Sequence, residues 1–263
     1  MRFVRVLGGW TSETYDIDGA WIVQVARTPY AAETLRHQAR VLPLLAPHLP
    51  ARVPALVIRG DDPVTAVYPR LAGEPAEDAG GTWPEELGRF LRALHAIPPG
   101  ELGFAGDAAT LRAEVRDICA GLAADVCPRL TADERAGAER AIARYLDDDR
   151  NWAFTPVVCH NDLGPEHVLV DAAGALAGVI DWEDVSLGDP AWELAWWLYV
   201  RPAIGERILA AHGMREDATF RARARFAYML MPWDQVVYGV AQGDAETIAT
   251  GLAGVRASLY EGY

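Results

Sequence analysis

His160-Asn161-Asp162-Leu163-Gly164-Pro165-Glu166-His167, then Val168-Leu169-Val170-Asp171, then Val179-Ile180-Asp181-Trp182-Glu183-Asp184, closing on Gly188-Asp189-Pro190, is the stretch whose reading decides the fold. Acids and a histidine recur at short spacing, each beside a strand-like apolar run. Asp162 follows the run 157–159 and falls in a loop, where a carboxylate can accept or orient a hydroxyl. His167 opens the next strand, 167–170, and an imidazole there can ligate a divalent cation. Asp181 ends the strand 176–180, where stiff backbone can hold a carboxylate against a cation that also touches phosphate. The order is loop base, ligand, hairpin, carboxylate. It meets the main needs of a phosphoryl-transfer site.

Outward from this stretch, the N-terminal region reads as strands and the rest mainly as helices. Strands are predicted at 3–7, 14–17 and 21–25, the last two forming a hairpin at Asp18-Gly19, a strong hairpin signal. Pro29 can open a helix to about Leu45, with Leu35, Ala39, Leu42 and Leu45 on one face. Two further strands, 55–58 and 65–68, flank a turn at Gly60-Asp61-Asp62-Pro63. Residues 69–81 lack periodicity and are rich in Pro, Gly and acids. The pattern then turns helical, at 84–96, 110–127 and 131–147, the last opened by the capping box Thr131-Ala132-Asp133-Glu134. Residues 191–263 read as helical again. The expected fold class is α+β, with an N-terminal lobe over 1–68 and a C-terminal lobe over 69–263.

Composition narrows the chemistry. A 263-residue chain with 51% hydrophobic and 23% charged residues can bury a substantial core. Its apolar runs fall short of the roughly 20 residues of a membrane helix, and the N-terminus has no apolar signal core. The expected location is the cytoplasm, without membrane association, as a monomer or weak dimer. A net charge of −13 argues against a nucleic-acid partner, whose phosphates need a basic surface. Three cysteines without a CxxC pair, Cys119, Cys127 and Cys159, argue against a disulfide framework and a structural zinc site. The chain contains no lysine, all 24 basic residues being arginine. A Walker P-loop, a Schiff-base lysine and a lysine general base are thereby excluded.

The combination His160-Asn161-Asp162-x-x-x-x-His167, Ile180-Asp181-Trp182-Glu183-Asp184 and Gly188-Asp189-Pro190-Ala191-Trp192-Glu193-Leu194-Ala195 resembles the aminoglycoside phosphotransferase family of antibiotic kinases. The resemblance covers nearly the whole chain and is most specific in these C-terminal motifs. It implies a protein-kinase-like, two-lobed fold. Asp162 then matches the catalytic aspartate, His167 stands where most members carry a metal-binding asparagine, and Asp181 matches the metal-binding acid. His160 and Asp189 match residues that brace the catalytic loop. The implied cofactors are Mg²⁺ and ATP or GTP as phosphate donor, and the implied second substrate is a small hydroxylated molecule.

The N-terminal lobe departs from the family pattern. Gly8-Gly9-Trp10-Thr11-Ser12 occupies the place of the phosphate-covering loop, making Thr11 and Ser12 candidate nucleotide contacts. Gln24 stands where a phosphate-binding Lys or Arg is usual, and Gln38 where its partner Glu is usual. Arg27 is the candidate replacement cation. Val67 and Tyr68 match the hinge whose backbone meets the purine. Acceptor-binding candidates are Glu183, Asp184, Trp233, Asp234 and Tyr238, since acids and aromatics suit an amine-bearing or polyhydroxylated antibiotic. The acceptor class stays open among aminoglycosides, macrolides, peptide and nucleoside antibiotics, and a primary-metabolite alcohol such as choline or homoserine. Two rival functions remain: a pseudokinase-like nucleotide-binding protein, motivated by Gln24 and Gln38, and a metal-dependent phosphohydrolase using His160, Asp162, His167 and Asp181.

Overall fold

The computed structural model describes residues 3–6, 12–77 and 80–260. Gly8 to Thr11 of the expected phosphate loop, Thr11 among them, lie outside the described residues. Along the chain, β1 is Phe3–Val6, β2 Ser12–Ile17, β3 Trp21–Ala26, α1 Pro29–Leu45, β4 Val57–Asp61, β5 Val64–Pro69 and β6 Glu74–Pro75. There follow α2 Trp83–His95, α3 Ala108–Val126, α4 Ala132–Asp147, β7 Val157–Cys159, β8 Val168–Val170, β9 Leu176–Val179 and β10 Ser186–Gly188. The chain ends with α5 Pro190–Glu193, α6 Ala195–Val200, α7 Pro202–His212, α8 Phe220–Gln242 and α9 Ala245–Tyr260. Two compact units result: Met1–Ala105 with Val157–Leu187 and Arg201–Met214, and Gly106–Pro156 with Gly188–Val200 and Arg215–Tyr263.

In the first unit, β1 to β5 make an antiparallel sheet in the order β1-β2-β3-β5-β4. The predicted hairpin is present. Asp18 and Gly19 both take positive φ, 55° and 68°, and the Asp16 carboxylate accepts the Gly19 N–H at 2.7 Å. Alternation along β5 buries Val64, Ala66 and Tyr68, and α1 packs on the sheet with Leu35, Leu42 and Leu45 buried. Each such side chain contributes about 1.5–3 kcal/mol relative to exposure. The Thr28 hydroxyl caps α1 by accepting the Ala31 N–H at 3.1 Å, and Pro29 sits in its first turn. The opening motif folds onto a second sheet, β6-β8-β9, while β7 pairs with β10. The two-residue β6 lies in the segment that has no periodicity, so pattern reading misses it.

Helix α2 meets α7 in the same unit. A Cβ on Gly88 would stand 2.3 Å from the Ile208 carbonyl oxygen and 2.8 Å from the Ala211 Cβ, so only glycine permits this approach. The second unit is helical. Its core gathers Leu122, Val126, Tyr145, Phe226, Met229, Leu230 and Trp233, with Tyr145 stacked on Phe226 at 3.6 Å between ring centroids. The predicted capping box of α4 forms, Thr131 and Glu134 exchanging hydrogen bonds of 2.8 and 3.3 Å. No helix among the described residues is long and apolar enough to cross a membrane.

Candidate active site

The loop between β7 and β8 and the turn after β9 carry the site. His160, fully buried, anchors the loop. The Asp162 N–H donates to His160 Nδ1 at 3.3 Å, so Nδ1 is unprotonated and Nε2–H donates to the Ile180 carbonyl at 2.9 Å. Burial holds this imidazole neutral, with its pKa down at about 3. The ring also lies 4.6 Å from that of Trp182. One buried histidine thus ties the Asp162 loop to the strand end that presents Asp181.

His167 joins the two carboxylates. Its Nδ1 is 2.7 Å from the Asp162 carbonyl oxygen, and because a carbonyl only accepts, Nδ1 carries the proton. In the neutral ring the Nε2 lone pair then faces the Asp181 Oδ2 at 3.4 Å. Two acceptors face each other, an arrangement that a proton or a divalent cation between them satisfies. Burial alone would lower the His167 pKa, but Asp181, the Asp162 carbonyl and the Asp162 and Glu166 carboxylates outweigh it and raise it. The Asp162 Oδ2 lies 3.5 Å from Nδ1, and its side chain is 53% exposed. Burial raises the Asp162 pKa, with His167 opposing and Glu166 assisting, so this carboxylate is a stronger proton acceptor than a free one. Asp181 is pushed up to about 6, first by burial, partly offset by His167, with Glu183, Asp162 and Glu166 adding to it.

Backbone conformation is specialised at the same two places. Asn161 and Asp181 both hold positive φ, 67° and 64°. Left-handed geometry at a non-glycine residue costs on the order of 1 kcal/mol or more, and it persists where neighbours fix it. The Asn161 side chain supplies such a fixing, donating to the Asp184 carbonyl at 3.0 Å and reaching the Ser186 hydroxyl at 2.9 Å.

Comparison with known proteins bears on this array. A family model described as "Phosphotransferase enzyme family" matches residues 2–228. The chain belongs to this family. Viomycin phosphotransferase of Streptomyces vinaceus is 33% identical to it over 260 residues, covering 89% of this chain and 86% of the relative. Aminoglycoside 3′-phosphotransferase of Streptomyces fradiae is 31% identical over 185 residues, 61% of this chain and 66% of its own. Among solved structures, the GDP complex of aminoglycoside 2′-phosphotransferase-IIIa superposes with a TM-score of 0.84 at 19% identity, covering 100% of this chain and 94% of that one. A macrolide 2′-phosphotransferase type I gives 0.76 at 23% identity, covering 96% and 90%. The expected protein-kinase-like fold is the fold of this phosphotransferase.

Ser12 is buried at the start of β2, opposite Ala26. Gln24 pairs across the sheet with Thr14 and Ala66, and its Oε1 is buried without a partner. Gln38 is buried on α1, and no hydrogen bond joins it to Gln24. The Arg27 guanidinium lies 3.4 Å from Glu13, whose carboxylate also takes Arg5 at 3.3 Å and the Tyr15 hydroxyl at 2.6 Å. Glu13 is next to Thr14 in β2, so it projects from the sheet face opposite to Gln24. Val67 and Tyr68 lie on β5, and burial together with the Asp181 charge raises the Tyr68 phenol pKa.

Glu183 and Asp184 follow Asp181 in the first unit. Asp184 is raised to about 6 by burial and by the Glu183, Asp162 and Asp181 charges. Trp233, Asp234 and Tyr238 belong to α8 of the second unit. Trp233 is wholly buried in its core, Asp234 is exposed and Tyr238 half-buried. Asp189, expected to brace, caps α5 through the Ala191 N–H at 2.9 Å and binds Arg223 at 2.6 Å. Arg223 also holds Asp217 at 2.9 Å and lies 4.7 Å over the Phe154 ring.

Sequence reading missed Tyr30 and His37. Tyr30 is 61% exposed at the start of α1, and its pKa is raised by burial and by the charges of Asp184 and Glu183. The His37 Nε2 lies 3.0 Å from the Val185 carbonyl oxygen, across 148 residues of sequence. Neither residue stands in a motif, so no local signal marks them.

Proposed function

We propose that the protein transfers the γ-phosphate of ATP or GTP to a hydroxyl of an antibiotic and thereby inactivates it. The observation that carries this is the His167 bridge. Nδ1–H is committed to the Asp162 loop, and Nε2 faces the Asp181 carboxylate at 3.4 Å. The Asp162 carboxylate receives or orients the acceptor hydroxyl, its basicity raised by burial. His167 Nε2 and the Asp181 carboxylate would hold Mg²⁺, and their lone pairs fit a divalent cation. When bound, the ion neutralises charge on the transferring phosphoryl group. With no lysine in the chain, no side-chain ammonium group of this protein can share the phosphate charge. Arg27 can share it only by exchanging Glu13 for phosphate. Residues 1–68 serve as the nucleotide-binding lobe and residues 69–263 as the catalytic and acceptor-binding lobe, working in the cytoplasm as a monomer or weak dimer.

The nucleotide assignment is supported by the relatives solved with GDP and, in one case, with ATP and streptomycin. Viomycin is the first acceptor to test, because its phosphotransferase is similar over most of both chains. Added phosphate carries roughly −1.5 to −2 charge, enough to spoil recognition of a neutral or cationic drug. The test is nucleotide consumption with viomycin, aminoglycosides and macrolides, each with ATP and with GTP. Turnover in wild type that Asp162→Ala abolishes is the expected result. Equal rates in the two proteins with every acceptor would refute the proposal.

A further inference from the structure

The segment that follows Asp181 is gripped at three consecutive residues. Asn161 donates to the Asp184 carbonyl at 3.0 Å and reaches the Ser186 hydroxyl at 2.9 Å, from the loop side. Between them, the Val185 carbonyl lies 3.0 Å from His37 Nε2 on α1. A carbonyl only accepts, so this nitrogen carries the proton and donates. The imidazole is held on another side by the Phe104 ring, 5.7 Å away between centroids. Val185 itself is buried, its N–H making only a 3.4 Å bond to the Trp182 carbonyl. Ser186 is held by its own hydroxyl, 3.1 Å from the Asp184 carbonyl, and by the pairing of β10 with β7, whereas the Val185 carbonyl is held from outside the segment by His37.

Asp181 needs such support. Its backbone sits at φ 64°, unfavourable for an aspartate, with its carboxylate 3.4 Å from His167 Nε2. Released, the segment would relax toward ordinary φ and carry the carboxylate away from His167. In this chain the helix bears Gln38 in place of an acid, and Gln24 makes no bond to it. His37, on α1, hydrogen-bonds this segment. We propose that His37 is a positioning residue: by donating to Val185 it couples α1 to the turn after β9 and keeps Asp181 in its cation-binding geometry. The role rests on the reading of Asp181 as a metal ligand given above.

His37→Phe keeps a ring against Phe104 and removes the donor, whereas His37→Gln keeps an N–H at similar reach. Amide hydrogen exchange of the metal-free protein over residues 181–187, and Mn²⁺ binding followed by electron paramagnetic resonance, are the readouts. Loss of one hydrogen bond should speed exchange of this segment, and weaken Mn²⁺ binding, by roughly fivefold to tenfold in His37→Phe. Exchange in α8 should stay as in wild type, and His37→Gln should restore both values. Unchanged exchange in His37→Phe, unchanged Mn²⁺ affinity, or a His37→Gln that behaves as His37→Phe would each overturn the proposal. A wild type that binds no Mn²⁺ refutes the metal reading instead, and the exchange comparison then decides the clamp by itself.

Discussion

Replacing Asp181 by asparagine should stabilise the metal-free protein while destroying its activity. The side chain is 40% exposed, and its carboxyl is pushed from an ordinary 3.8 to about 6, chiefly by burial. A shift of that size corresponds to at most about 3 kcal/mol. Solvent screening at this exposure reduces it to about 1 kcal/mol. The raised pKa means that the folded state favours the protonated form. Its stabilising effect is complete below pH 3.8 and is lost as pH rises through 6. At pH 8 the wild type therefore carries an ionised carboxylate at a cost, which Asp181→Asn removes without changing shape. The variant should melt higher by roughly 2–4 °C in a chain of this size. By the same linkage its advantage should be smaller at pH 4.5 than at pH 8. Thermal melts without metal at the two pH values check this. Added Mg²⁺ should then raise the wild-type midpoint and leave the variant unmoved, and kcat/KM in the variant should fall at least about a hundredfold. A variant that melts lower at pH 8, or gains equally at both pH values, would show that the 3.4 Å contact with His167 is a net stabilising ion pair. The account of the site as a charge-loaded cation receptor would then be wrong.

Asp162→Ala should abolish transfer and leave nucleotide affinity nearly intact, measured by calorimetry with a non-hydrolysable nucleotide; loss of affinity equal to that in Asp181→Ala would contradict the separate roles. Arg223→Ala should cost about 3–5 kcal/mol in a denaturant titration, because it leaves the buried Asp189 uncompensated. Adding Asp189→Asn should recover part of that loss, and strict additivity of the two changes would count against a coupled pair. Gly88→Ala should destabilise by about 1–3 kcal/mol although alanine is the better helix former, since its methyl would overlap the Ile208 carbonyl. A neutral or positive effect would mean that α2 and α7 can part at little cost.

Much of the site lay open in the sequence because its residues are close neighbours there. Asp162 and His167 share one loop, and Asp181 ends the hairpin that follows. Hairpin turns, the Thr131 capping box and the α1 start were legible for a similar reason, being set by local dihedral preference and nearby hydrogen bonds. Arg27 shows where that local reading stops. Its spacing from Gln24 makes it a candidate phosphate cation, and only the fold shows that its guanidinium meets Glu13, which the strand pleat sets on the face opposite to Gln24. Trp233 was similarly ambiguous, since an aromatic at helical spacing suits either a pocket or a core, and here it is wholly buried.

The sequence by itself determined the family and the α+β class, and it supplied the three residues on which the proposed chemistry is built. It also excluded lysine-based phosphate binding outright. Only the tertiary structure decided how those residues work together. The His160–Ile180 bond, the meeting of His167 with Asp181, the burial that raises the Asp181 and Asp184 carboxyls and the His37–Val185 bond depend on groups that the fold brings together. Burial and charge proximity are properties of three-dimensional neighbourhoods. Spacing along a chain can name the carboxylates of such a site, but the fold sets their proton affinities and the geometry in which they meet a cation.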